Sequence, residues 1–275
     1  MSAAPAEVFI AALRARRSIT EKVMIVVAHP DDETIGIGAQ LCRFEDLLIV
    51  HATDGAPRDM HDAARYGFAC IEDYVAARRR EISDALIAGG AGRARTLAFD
   101  IPDQEACRDL FALTGRIAGL LISEKPQAVF THAYEGGHPD HDSCAFAVHA
   151  AAPLSSNGSA PAIIEMALYH RRDGDLVSGD FLPAEPPVTV LPLDPGDLRR
   201  KQRMIDAFAT QRWLLSSFPL DCERLRIAPE YDFRLPPHPG VLHYETLGWE
   251  ITGAQWRDHA TAALAKLGLA DLPCL

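Results

Sequence analysis

No run in this 275-residue chain approaches the roughly 20 apolar residues of a membrane-spanning helix, so no membrane span is expected. Nor do its six cysteines (Cys42, Cys70, Cys107, Cys144, Cys222 and Cys274) include a Cys-x-x-Cys pair. That absence removes the usual zinc-finger and dithiol spacings and leaves reduced core thiols as the expected state. Positive charge is short as well: 27 basic against 38 acidic residues give a formal charge of -11, which disfavours nucleic acid or an anionic membrane as the main partner. A small neutral or cationic substrate suits this balance better. Residues 1–21 carry Arg14, Arg16 and Arg17 but no apolar segment of the secretory kind before them, and a cytoplasmic protein is expected. Internal repeats and low-complexity tracts are also lacking. Oligomeric state, a homo-oligomer included, is left open.

What the chain does have is apolar material for a large core, with 48% hydrophobic and 24% charged residues. One domain over 1–275 is expected: an N-terminal arm at 1–21, a core at 22–152 and a substrate-shaping part at 153–275. Val23–Val27 and Leu47–Ala52 are short apolar runs that read as buried strands, and 95–99 and 127–131 add two more. Helical patterns follow them at 34–44, 71–88, 107–123 and 141–152. This alternation predicts an α/β fold, a Rossmann-like and mostly parallel sheet with helices on both faces. Residues 56–68 show no clear period and read as a loop beside the site. Beyond the core, the sequence predicts a polar linker at 155–161 and a strand near 163–169. Five prolines in 183–195 confine any strand there to a short or edge position. Helical patterns at 196–218 and 254–267 complete these C-terminal α/β additions. Gly36-Ile37-Gly38 lies inside a helix rather than in the turn before one, so it reads as close helix-on-sheet packing, not as a dinucleotide fingerprint.

Chemistry concentrates at two strand ends. Ala28-His29-Pro30-Asp31-Asp32-Glu33 follows the first strand, and His138-Pro139-Asp140-His141 follows the fourth. Parallel strands put both clusters at one sheet edge, where ligands of α/β proteins collect. His29, Asp32 and His141 make a two-imidazole, one-carboxylate set suited to a catalytic divalent metal; zinc is the expected ion and iron(II) the alternative. Asp31 adjoins the ligands and is positioned as general base. His138 is positioned to stabilise an oxyanion or protonate a leaving amine. Glu33 and Asp140 are expected to support the ligands by hydrogen bonding. Taken singly, each histidine fits a loop or cap role, and Asp31 with Asp32 fits a helix cap. Two His-Pro-Asp clusters after two buried strands are hard to ascribe to independent accidents.

The two motifs together resemble the paired signature of the PIG-L/LmbE-like de-N-acetylases, the family of N-acetylglucosaminyl-phosphatidylinositol deacetylase and of the mycothiol and bacillithiol deacetylases. The resemblance covers roughly residues 22–150. It implies His29, Asp32 and His141 as ligands, Asp31 as base and His138 at the oxyanion, the roles argued above from chemistry. It also implies substrate contacts for Arg78, within an Arg-x-x-Glu pattern completed by Glu81, and for Asp103. Many members of the family have Pro-Asp-Gly where this chain has Pro102-Asp103-Gln104. Phe208-Ala209-Thr210-Gln211 is similar to a further family segment, with Thr210 in place of serine.

The expected function is hydrolysis of an N-acetyl group from an amino sugar or N-acetylglucosaminyl conjugate, with a small-molecule partner. Alternatives are a metal-dependent amidase on a non-sugar N-acyl substrate and a non-catalytic sugar-binding protein. An iron oxygenase shares the ligand set but gives Asp31 no role.

Overall fold

The computed structural model describes residues 3–155, 160–183 and 186–275, with side chains from Ala6 onward. Four residues of the expected linker, 156–159, thus lie outside the described residues. Seven strands build one sheet: β1 (Ile19–Val27), β2 (Phe44–Pro57), β3 (Arg95–Asp103), β4 (Ala128–His132), β5 (Ala162–Met166), β8 (Thr189–Pro192) and β9 (Cys222–Ile227). Two more, β6 (Tyr169–Arg172) and β7 (Asp175–Ser178), pair as a separate hairpin. The order across the sheet is β3-β2-β1-β4-β5-β9-β8. Strands β3 to β5 run parallel, while β9 and β8 join antiparallel. From β1 the chain steps outward to β2 and β3, then returns to place β4 on the other side of β1. The carboxyl ends of β1 and β4 therefore flank a topological switch point, where the sheet opens a crevice.

The period of two along β1 sorts its side chains between two cores. Val23, Ile25 and Val27 pack on one face with Phe9 and Leu13 of α1 (Ala3–Arg14), Ile35 and Ile37 of α2 (Asp32–Ile37), Ile82 and Leu86 of α4 (Ile71–Ala88), and Met204 of α7 (Pro195–Asp206). Met24 and Val26 pack on the other with Leu113 and Ile117 of α5 (Leu110–Glu124) and with Cys144, Ala147 and Ala151 of α6 (Pro139–Ser155). Helix α9 (Gly253–Leu267) adds an outer layer through Trp256, Ala260 and Leu264 against Phe146 and Ala150 of α6. All six cysteines are free thiols. Among the described residues no helix is long and apolar enough to cross a membrane.

The structure departs from the sequence pattern in several places. The helical pattern at 34–44 tightens into a 3-10 turn at Gly38–Arg43, and the loop at 56–68 contains the short α3 (His61–Arg65). The 196–218 pattern breaks after Asp206, because Phe208 is pulled into the core and Thr210 bonds Glu81 on α4. A 3-10 turn and α8 (Arg212–Leu215) follow. Strand β9 has no apolar signature, since its Glu223 and Arg226 are buried charges held by partners from other elements.

Candidate active site

Strand β1 ends at Val27, and the Asp31 backbone N–H donates to the His29 carbonyl, closing a tight turn that delivers His29, Asp31 and Asp32 within one step of α2. Strand β4 ends at His132, and a loop through Gly136-Gly137 brings His138 and then His141, on the first turn of α6, to the same crevice. That loop needs glycine: a Cβ on Gly137 would lie 2.0 Å from the Tyr169 carbonyl oxygen. The start of α6 is clamped from outside, where Trp256 donates its indole N–H to the Pro139 carbonyl at 3.1 Å and to the Ser143 hydroxyl at 3.2 Å.

Three donor groups face one another across the crevice. His29 Nδ1 lies 3.3 Å from Asp32 Oδ2, His141 Nε2 lies 3.2 Å from Asp32 Oδ1, and the two ring nitrogens are 3.3 Å apart. Donors about 2.0–2.1 Å from a tetrahedral zinc are about 3.3 Å from each other, so these residues fit a small divalent ion of that kind. Other groupings of potential ligands share these residues: His29 with His138 and His141, His29 with Asp103, His138 and Asp140, and Asp32 with His132 and His141. Backbone hydrogen bonds distinguish the rings involved. His132 Nε2 accepts the Ala28 N–H at 2.9 Å, and His138 Nδ1 accepts the Asp140 N–H at 3.1 Å. Each of those neutral rings has spent its lone pair and carries its proton on the other nitrogen. His29 differs, because its Nε2 faces Asp103 at 3.2 Å and Asp140 at 3.4 Å, leaving Nδ1 free to ligate.

The adjacent carboxylates diverge. Asp32 Oδ2 accepts the His29 backbone N–H at 2.7 Å; burial pushes its pKa up, but the imidazoles of His141 and His29 outweigh that and hold it well below the usual range. Asp31 does not cap α2; its Oδ2 accepts from Arg78 Nη2 at 3.0 Å. Burial raises the Asp31 pKa against the opposing pull of Arg78. Burial also keeps His138 well below an ordinary histidine, with the neighbouring His29 adding to the effect, so its uncharged Nε2–H is the group it offers.

The remaining expected residues fall as follows. Arg78 is buried, and its Nε also donates to the Gly55 carbonyl at 3.2 Å; its neighbours Arg79 and Arg80 are the solvated part of the basic run. Glu81 accepts from the backbone N–H and hydroxyl of Thr210, tying the 208–211 segment to α4. Asp103 approaches His29 and, at 3.6 Å, His138, while also lining the open cleft outside. Asp140 accepts the Gln104 and Ala106 N–H groups besides facing His29. Glu33 is a correction: its carboxylate turns from the ligands to Thr34 Oγ1 at 2.8 Å and His51 Nε2 at 3.1 Å. A helical step past Asp32 aims it at β2 instead.

Residues 24–152 match the family model for PIG-L, described as GlcNAc-PI de-N-acetylase. This segment is a PIG-L domain. It contains both strand-end motifs and every group of the crevice described so far except Tyr169, Thr210 and Trp256. A 1D-myo-inositol 2-acetamido-2-deoxy-alpha-D-glucopyranoside deacetylase of Tsukamurella paurometabola is 31% identical over 45% of this chain and 52% of its own. A mycothiol S-conjugate amidase of Streptomyces coelicolor is 29% identical over 44% and 47%. The chain thus spans about half the length of the curated relatives it matches. Among solved structures, teicoplanin deacetylase Orf2 in a zinc-inhibited form superposes with TM-score 0.55 at 16% identity, over 74% of this chain and 96% of that one. N,N'-diacetylchitobiose deacetylase from Pyrococcus horikoshii gives TM-score 0.52 at 17% identity, over 76% and 84%. At these identities the superpositions show a shared fold.

Residues outside the PIG-L domain complete the crevice. Tyr169 packs its ring against His141, with centroids 5.1 Å apart, and Trp249 meets His138 edge to face at 4.7 Å. No period or spacing along the chain connects either with the motifs. His132 had one usable signal, its place at the end of the strand beside β1.

Proposed function

We propose that the chain is a metal-dependent N-deacetylase that releases acetate from an N-acetylated saccharide or saccharide conjugate. The observation that carries this reading is the facing set of His29 Nδ1, Asp32 and His141 Nε2 with a further carboxylate, Asp31, at its side. Those three residues would hold the ion, zinc or alternatively iron(II), and such an ion when bound polarises a carbonyl and lowers the pKa of water. Asp31 takes the proton of the attacking water as its oxygen bonds to the amide carbon. Arg78 fixes the Asp31 carboxylate for that task through the 3.0 Å bond to Oδ2. The His138 Nε2–H donates to the carbonyl oxygen as negative charge develops there. When the carbon–nitrogen bond breaks, the proton held by Asp31 goes to the departing amine, so one acetate and one free amine form per water consumed.

The likeness to deacetylases of N-acetylated sugar conjugates supports the saccharide class. A second reading, an amidase cutting a different amide of such a conjugate, is supported by the likeness to the Streptomyces coelicolor amidase. Product analysis separates the two. Metal-loaded protein is offered N-acetylated sugars, conjugates and simple amides, and acetate and amine are counted. Equal amounts of both support deacetylation; a larger acid in place of acetate supports the second reading, and no product from any of them removes both.

A further inference from the structure

His132 closes β4 with a buried side chain that the chemistry above does not use. Its ring lies flat on the ring of His141, with centroids 4.1 Å apart and planes within 11° of parallel. Its Nε2 accepts the Ala28 N–H at 2.9 Å, so a side chain ties the end of β4 to the end of β1 beyond their last paired residues, Phe130 and Ile25. The same nitrogen lies 3.4 Å from Asp32 Oδ2. His132 thus touches the two strand ends and two of the three proposed ligands.

Histidine is costly at this position. With Nε2 accepting, the proton sits on Nδ1, and that buried N–H has no hydrogen-bond partner among the described residues. Phenylalanine would stack on His141 without stranding a donor of its own, and glutamine would offer the Ala28 N–H an acceptor without a ring. Only imidazole places an acceptor lone pair in the plane of an aromatic ring, so one side chain does both.

His141 needs such a neighbour. A ligating imidazole is ordinarily held by a hydrogen bond from its other nitrogen, as His29 Nε2 is held between Asp103 and Asp140. Among the described residues His141 Nδ1 has no hydrogen-bond partner; the polar contacts of that ring are both made by Nε2, with His29 and Asp32. Its orientation therefore comes from packing. Tyr169 meets the ring at 63° with centroids 5.1 Å apart, and His132 covers its face.

We propose that His132 is a positioning residue for the metal set: its stacked ring fixes the plane in which His141 presents Nε2, while its own Nε2 locks β4 to β1. This rests on the reading of His29, Asp32 and His141 as ligands.

Zinc titration of the metal-free full chain, with visible spectra of the cobalt(II)-loaded protein, tests it. His132→Phe keeps the stack and is expected to hold zinc affinity within about threefold of wild type, with unchanged cobalt bands. His132→Gln keeps an acceptor but no ring, and is expected to bind zinc about 10–100-fold more weakly, with shifted bands. His132→Leu fills the site without a buried amide and is expected to match His132→Gln, so the ring-less result does not depend on one variant folding. A residue that only holds the fold would move the urea midpoint of the metal-free protein and leave zinc affinity alone. Unchanged affinity in every variant, or a loss in His132→Phe as large as in His132→Gln, overturns the role assigned to the stack. Loss of the bound zinc from all three folded variants makes His132 itself a ligand and overturns it too. No zinc binding by folded wild type removes the metal reading as well, whereas wild-type binding with unaffected variants keeps that reading and removes only the role of His132.

Discussion

Asp31 and Asp32 are neighbours in sequence, and the change from the non-helical backbone of Asp31 to the first helical residue, Asp32, sends their carboxylates to different partners. Asp32 reaches His29 and His141, whereas Asp31 reaches Arg78 across Gly55, where a Cβ would come within 2.9 Å of the guanidinium. The division predicts different variant behaviour. Asp31→Asn is expected to lower kcat by about 10²–10⁴-fold, the usual worth of a general base, with metal stoichiometry intact. Asp32→Ala is expected to lose the metal itself. Acetate-release kinetics with metal analysis of each purified variant check both, and loss of metal from Asp31→Asn would make that residue a ligand. The roles proposed for these two carboxylates could be read from sequence because the motif follows a buried strand. Glu33 could not be placed that way, since its direction depends on His51, a residue of another strand. The contact of Trp249 with His138 was equally hidden, because only the folded C-terminal part brings the two together.

At the scale of elements, α2 is too short to hold itself and depends on a buried ion pair beneath it. Lys201 of α7 donates to the Ile35 carbonyl at 2.6 Å and to Glu223 of β9 at 2.9 Å, and Glu223 also accepts the Ala39 N–H. Lys201→Ala strands that carboxylate and is expected to cost about 3–5 kcal/mol, read as a lower urea midpoint at unchanged slope. A shift near zero would mean that α2 is held by apolar packing alone. On the opposite side, hydrogen bonds from Arg95 and Lys22 to Glu124 tie the end of α5 to β3 and β1 and lower its carboxyl from 4.5 to about 2. A depressed acid contributes stability above its unfolded pKa and loses it as pH falls through the folded one. Urea midpoints of wild type should therefore exceed those of Glu124→Gln near neutrality, and the gap should close between pH 4.5 and about 2. A gap that persists in acid would assign the difference to packing. The parallel strands and their helices were legible from apolar runs and breaks at Gly89-Gly90 and Pro126. Strand β9 was not, because burial of Glu223 and Arg226 is set by Lys201 and Glu165 elsewhere in the chain.

At the scale of the whole molecule, the switch point between β1 and β4 converts two motifs more than a hundred residues apart into one crevice, and the C-terminal part walls the approach to it. In the proposed reading, metal and base are parts of a single hydrolytic site. Its most direct test is to strip the protein with a chelator, confirm the fold by circular dichroism, and assay acetate and amine from N-acetylated saccharides before and after restoring zinc or iron(II). The account predicts no turnover in the stripped protein and one acetate per amine once a single equivalent of metal is restored. Undiminished turnover in the stripped protein, or no turnover of any N-acetylated substrate by the fully loaded one, would contradict it.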